Sequence, residues 1–126
     1  MIHNVQHLLE VKGTDVWTIS PEASVYDALR MMAAKDIGAL IVVEDSRVIG
    51  ILSERDYARK IILQGKTSKE TKVSEIMSTK LIVVHPLQTV DEAMQLMNSH
   101  HIRHLPVMVD DHCEGVISIN DVVGNI

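Results

Sequence analysis

A mixed α/β (α+β) fold, built from one β-α-β-β-α unit used twice, is what this sequence predicts, and three observations carry the prediction. Residues 16–61 lie over residues 81–126 at a constant offset of 65 without a gap, and 12 of the 46 aligned positions are identical. The identities are Pro21/Pro86, Val25/Val90, Ala28/Ala93, Met32/Met97, Ile37/Ile102, Leu40/Leu105, Val42/Val107, Asp45/Asp110, Gly50/Gly115, Ser53/Ser118, Asp56/Asp121 and Ile61/Ile126. They fall on chain breakers, apolar positions and one junction, as in a duplicated supersecondary unit. Second, stretches with apolar residues at helical spacing alternate with β-branched runs bounded by turn residues. Third, the chain is 46% hydrophobic yet has no Phe, one Trp and two Tyr, so its core is aliphatic. A chain of 126 residues buries roughly two-thirds of the surface its unfolded form exposes, enough for a real core.

The elements follow in order. Val5, Leu8 and Leu9 set a short amphipathic helix over residues 4–12, which Gly13 stops. Val16 to Ile19 reads as a brief strand broken by Ser20-Pro21. Ser24 with Asp27 resembles a capping box, and Val25, Ala28, Leu29 and Met32 then mark one buried helical face. Ala39 to Val43 is a continuous apolar run, as in a strand buried on both sides, and Glu44-Asp45-Ser46 turns it into Val48 to Leu52. A helix starts at Ser53 with Tyr57, Ile61 and Ala58 inward. Gln64 to Lys72 is polar and without apolar period, so it reads as the connector. The second copy restarts with a fuller capping box at Thr89 to Glu92 and the stripe Val90, Ala93, Met94, Met97, and ends in a short helix at Asp121 to Ile126. The domain division expected is 1–66 for the lead-in helix and first repeat, and 67–126 for the second. One sheet with two helices covers its own face poorly, so the copies are expected to pack as a pseudo-twofold pair.

With 12 Lys plus Arg against 17 Asp plus Glu the net charge is −5, which argues against nucleic acid as the main partner. Cys113 is the single cysteine, so no intrachain disulfide forms and a reducing cytoplasm is the expected compartment. No apolar run approaches a membrane span and the N-terminus lacks a leader pattern, so a soluble protein without a membrane partner is expected.

The chemistry concentrates in the stretch from Gly50 to Asp56 and its mate from Gly115 to Asp121. Each is a glycine, an apolar pair, a serine, two variable residues and an aspartate, where a strand hands over to a helix. A carboxylate there can accept both hydroxyls of a ribose, and a helix start favours phosphate. Serine three residues before aspartate is equally a capping box that needs no ligand.

These paired Gly-x-x-Ser-x-x-Asp junctions resemble the cystathionine-β-synthase (CBS) domain pair, or Bateman module. Ile37-Gly38-Ala39-Leu40 with its mate Ile102-Arg103-His104-Leu105-Pro106-Val107, and Val73-Ser74-Glu75-Ile76-Met77 leading into the second copy, carry the same resemblance. It spans nearly the whole chain and is that of a stand-alone bacterial-type pair. The family implies clefts between the repeats that hold adenine nucleotides such as AMP, ATP or NAD(H), and in some members S-adenosylmethionine. It implies that one site combines Ser53, Arg55 and Asp56 with Met77, Ile82, Ile102, Arg103, His104 and Leu105. The other combines Ser118, Asn120 and Asp121 with Lys12, Trp17, Ile37, Gly38, Ala39 and Leu40. Arg55 stands where the second copy has Asn120, and Arg103 with His104 stand where the first has Gly38 and Ala39. The Ser53/Arg55/Asp56 site is therefore expected to take the more phosphate-rich ligand.

Other constellations are weaker. His100 and His101 diverge on a helix and His104 lies beyond its end, so no metal site is expected. Met31, Met32, Met94 and Met97 fall on helix faces as core filler. No Walker A or G-x-G-x-x-G loop and no nucleophile constellation around Cys113 is present. The function expected is a non-catalytic regulatory module that binds an adenine nucleotide, with no catalytic cofactor. By resemblance it is a homodimer acting on an unknown regulated protein. The alternative is a structural or dimerisation module without a physiological ligand; an enzyme is the least supported.

Overall fold

The computed structural model describes residues 2–124, and its elements keep the repeat register residue for residue. The first hairpin, β2 (Ala39–Glu44) and β3 (Arg47–Ser53), reappears 65 positions on as β4 (His104–Val109) and β5 (His112–Ser118). The helices α2 (Val25–Lys35) and α5 (Val90–His100) match in the same way. Both end in a left-handed residue, Asp36 and His101, and the hairpins carry a register shift at equivalent places, Val42/Val43 and Val107/Met108. Asp45 and Asp110 adopt positive φ in the two turns, as tight hairpins require. Ile126, the mate of Ile61, lies outside the described residues, as do the last two residues, 125–126, of the helix expected over Asp121 to Ile126.

Two units make up the chain: Trp17–Leu81, and Met1–Val16 together with Ile82–Ile126. In the first, the parallel strand β1 (Thr18–Ile19) pairs with β2, which pairs antiparallel with β3. The helix α3 (Glu54–Tyr57) follows at once and continues as a π-helical turn, Ala58–Ile62. Val25, Ala28, Met32, Leu40, Val42, Leu52 and Ile61 form the core, closed by Val73 and Ile76 of α4 (Val73–Ile76). The expected connector, Gln64 to Lys72, therefore leads into a helix that belongs to this unit.

In the other unit, α1 (Val5–Lys12) contributes Val5, Leu8 and Leu9 to a core with Val90, Ala93, Met97, Leu105, Val107, Ile117 and Val122, the last from α6 (Ile119–Val123). Asn4 caps α1 through the His7 N–H, and Gly13 closes it at φ 106 with its N–H on the Leu9 carbonyl. Val5 and Gln6 donate to the Gln88 and Pro86 carbonyls, and Val90 donates to His3. The division of the chain thus differs from 1–66 and 67–126: α1 joins the second repeat, and residues 67–81 stay with the first. The reason is the apolar face of α1, which finds its partners among residues 82–124.

The second unit's first strand is reduced to one parallel bridge, Val84 to Val107. Proline explains the difference. In the first unit the Ile41 N–H donates to the Trp17 carbonyl. Its mate is Pro106, which has no N–H to give, and only the Val84 N–H to Pro106 and Met108 N–H to Val84 bonds remain.

Candidate functional site

Both junctions are complete capping boxes. Ser53 Oγ accepts from the Asp56 N–H at 3.2 Å while Asp56 Oδ2 accepts from the Ser53 N–H at 3.0 Å. At the other junction the Asp121 N–H reaches Ser118 Oγ at 3.1 Å, and Ser118 N–H reaches Asp121 Oδ2 at 2.8 Å. Serine in extended backbone and aspartate at the third helical position satisfy each other's orphan groups, which is why strand gives way to helix at these residues.

At each junction a lysine adds its charge to the capped carboxylate. Lys60 Nζ lies 3.2 Å from Asp56 Oδ1 and donates to the Ile76 carbonyl at 2.9 Å. Lys12 Nζ lies 2.8 Å from Asp121 Oδ2 and donates to the Val116 carbonyl at 2.6 Å. The carboxylates are mostly covered and the ammonium groups more open, with 14% and 23% of the aspartate side chains exposed against 44% and 30% for their lysines. Burial works against the charged form of Asp121, but the Lys12 and Ser118 hydrogen bonds and the lysine charge outweigh it. They hold the carboxyl below its ordinary 3.8.

That shift has a pH consequence. A carboxyl with a lowered folded value stabilises the fold above its unfolded value and loses that contribution as pH falls through the folded value. The Lys12–Asp121 contribution is therefore complete above about 3.8 and lost further into acid. Lys12→Met should move the Asp121 titration upward in a carboxyl carbon-13 NMR series, and an unmoved titration would refute the assignment.

The remaining expected residues divide by unit. Ala39 pairs directly with Ser53 and His104 with Ser118, while the Glu54 and Ile119 N–H groups donate to the Gly38 and Arg103 carbonyls. Gly38, Ala39, Arg103 and His104 thus border the junction of their own unit. Met77 packs beside Gly50, and Trp17 and Ile37 pack on the first core with Lys35 Nζ 4.2 Å from the Trp17 ring centre. Ile82 and Ile102 pack on the second core. Leu40 and Leu105 are fully buried core side chains. Arg55 is half-buried where its mate Asn120 is exposed. Lys60 is the junction residue missing from the expected set. Its signal was legible, because i,i+4 spacing from Asp56 pairs charges on one helix face.

Elsewhere, His85 Nδ1 accepts the Leu87 N–H within its turn. Among the described residues no three His, Cys, Asp or Glu are grouped to hold a metal. Burial raises the Cys113 thiol, which donates to the Gly115 carbonyl. No helix among the described residues is long and apolar enough to cross a membrane.

The CBS domain family matches residues 9–63 and 73–126, and the chain belongs to it. It is a CBS pair, the regulatory class of module. The chain is 47% identical over 116 residues to the mitochondrial CBS domain-containing protein CBSX3 of Arabidopsis thaliana; the match covers 88% of this chain and 56% of that relative's length. The crystal structure of the CBS domain protein NE2398 matches with a TM-score of 0.93 at 43% identity, covering 97% of this chain and 95% of that one. The CBS domain pair of MJ0100, solved in complex with 5′-methylthioadenosine and S-adenosyl-L-methionine, has the same fold with a TM-score of 0.87 at 23% identity, covering 98% and 95%.

Proposed function

We propose that the two junctions bind the ribose of an adenine nucleotide of the AMP, ATP or NAD(H) class, and that occupancy signals energy or redox state to a regulated protein without covalent chemistry. The observation that carries this reading is the recurrence of one carboxylate–ammonium pair at the same junction of both units, 3.2 Å and 2.8 Å apart. Capping alone needs no lysine. A carboxylate that accepts ribose hydroxyls makes charge-assisted bonds worth about 1.5–3 kcal/mol each. The adenosine compounds held by the MJ0100 pair support the ligand class. Arg55 beside Asp56, where Asn120 stands beside Asp121, supports a preference of the first junction for the more phosphate-rich ligand. A homodimer in a reducing cytoplasm is the setting that goes with this reading, and the net charge of −5 disfavours nucleic acid as a partner.

A structural or dimerisation module without a small-molecule ligand is the second reading, and the two complete capping boxes favour it. Thermal unfolding with AMP, ADP, ATP, NAD(H) and S-adenosylmethionine separates the two. A ligand at a hundred times its dissociation constant should add about 2.7 kcal/mol of stability, and Asp56→Ala and Asp121→Ala should reduce that gain unequally. No selective shift from any compound sinks the nucleotide reading, and equal losses sink the asymmetry.

A further inference from the structure

The π-helical turn Ala58–Ile62 and the residues just after it present a face that the core does not use. Ile61 is 2% exposed and closes the first core, while its neighbours Ile62 and Leu63 are 58% and 76% exposed. They are the one pair of exposed large hydrophobic residues adjacent in the chain among the described residues. Cations bracket the pair: Arg59 stands four residues before Leu63 and Lys66 four after Ile62, spacings that place side chains on one helical side. Both are exposed. Lys60, by contrast, is held by Asp56 and the Ile76 carbonyl, and Lys69 lies 4.9 Å from the Tyr26 ring centre.

Charge sets this surface apart from the rest of the molecule. Residues 55–69 carry five cations, Arg55, Arg59, Lys60, Lys66 and Lys69, against the one carboxylate of Asp56, with Glu54 and Glu70 closing the stretch at either end. The stretch is +4 in a chain of net −5, so the other 111 residues together carry −9. We infer that the Arg59/Ile62/Leu63/Lys66 face docks an acidic amphipathic segment of another protein, its apolar side chains on Ile62 and Leu63 and its carboxylates on the two cations. Complementary rim charges steer such a partner and fix its register. A second copy fits less well, because a twofold pair sets the same patch against itself, cation facing cation. An anionic bilayer fits less well too, since it is a broad surface that the acidic remainder of the chain repels.

Amide NMR titration of the full chain with two synthetic helical peptides tests this. One carries two leucines flanked by glutamates, and the other has lysine at every glutamate position. The glutamate peptide should shift the Arg59, Ile62, Leu63 and Lys66 amides and bind about tenfold tighter than the lysine peptide, a difference that 0.5 M salt narrows. Leu63→Ser should weaken it about tenfold through lost apolar burial, and Arg59→Glu combined with Lys66→Glu should reverse the preference. All three positions are exposed, so the variants should keep the thermal midpoint of the unaltered protein. Equal binding of both peptides, or shifts confined to other residues, would overturn the inference. Co-sedimentation with phosphatidylserine vesicles would overturn it in favour of a lipid surface, and a concentration-dependent dimer abolished by Leu63→Ser would do so in favour of a second copy.

Discussion

Leu8→Ala should destabilise the protein by about 3 kcal/mol, within the usual cost of emptying a buried leucine site. Leu8 is fully buried on α1 and belongs to the core that Ala93, Leu105 and Ile117 share. An eight-residue helix has little stability of its own in water, so packing holds it. The backbone bonds from Val5 and Gln6 to Gln88 and Pro86 keep α1 docked after truncation, which prevents collapse and leaves a cavity. Val11→Ala on the same helix is the control: Val11 is 62% exposed and its loss should stay within about 0.5 kcal/mol. Urea unfolding reads the magnitude. Native-state hydrogen exchange reads the place, since local openings follow cooperative units. Protection should fall at the Leu105, Val107 and Ile117 amides before Leu40 and Leu52, and the reverse order would refute the grouping of α1 with residues 82–124.

That grouping shows where sequence stops informing. The spacing of Val5, Leu8 and Leu9 declares an apolar face but says nothing of its partner, and proximity in the chain suggests the wrong one. The same holds for Val73 and Ile76, which close the first core although they precede the second repeat. Hairpins, helix caps and junctions were legible because each depends on neighbours a few residues apart: Ser53 with Asp56, Thr89 with Glu92, Asp45 in its turn. Loss of the second unit's first strand was also written in the chain, at Pro106, but only once its partner across the sheet was known. At the junctions, Ser and Asp could be read directly. Lys12 reaching Asp121 spans 109 residues of chain; the family resemblance put the two in one site, where no local pattern announces it.

Gly50→Ala should cost about 3 kcal/mol, the upper end of the usual penalty for overpacking. Neither Gly50 nor Gly115 is among the glycines at positive φ, so conformational freedom is not the reason for glycine at either junction. Space is. A Cβ on Gly50 would lie 2.8 Å from the Ser78 carbonyl oxygen and 2.9 Å from Met77 Sδ. That carbonyl accepts the Ile51 N–H at 3.0 Å while the Ser78 N–H donates to Ile51 at 2.9 Å, so making room breaks a backbone bridge. On Gly115 the Cβ would meet only Leu9 side-chain atoms, the nearest at 2.7 Å. Gly115→Ala should therefore cost less, about 1–2 kcal/mol. A double-mutant cycle separates the two causes. Leu9→Ala should couple favourably with Gly115→Ala, because it removes the atoms in the way. Met77→Ala should leave most of the Gly50→Ala cost in place, because the peptide carbonyl of Ser78 stays. Full rescue of Gly50→Ala by Met77→Ala would show that the methionine alone, and no backbone approach, demands glycine there.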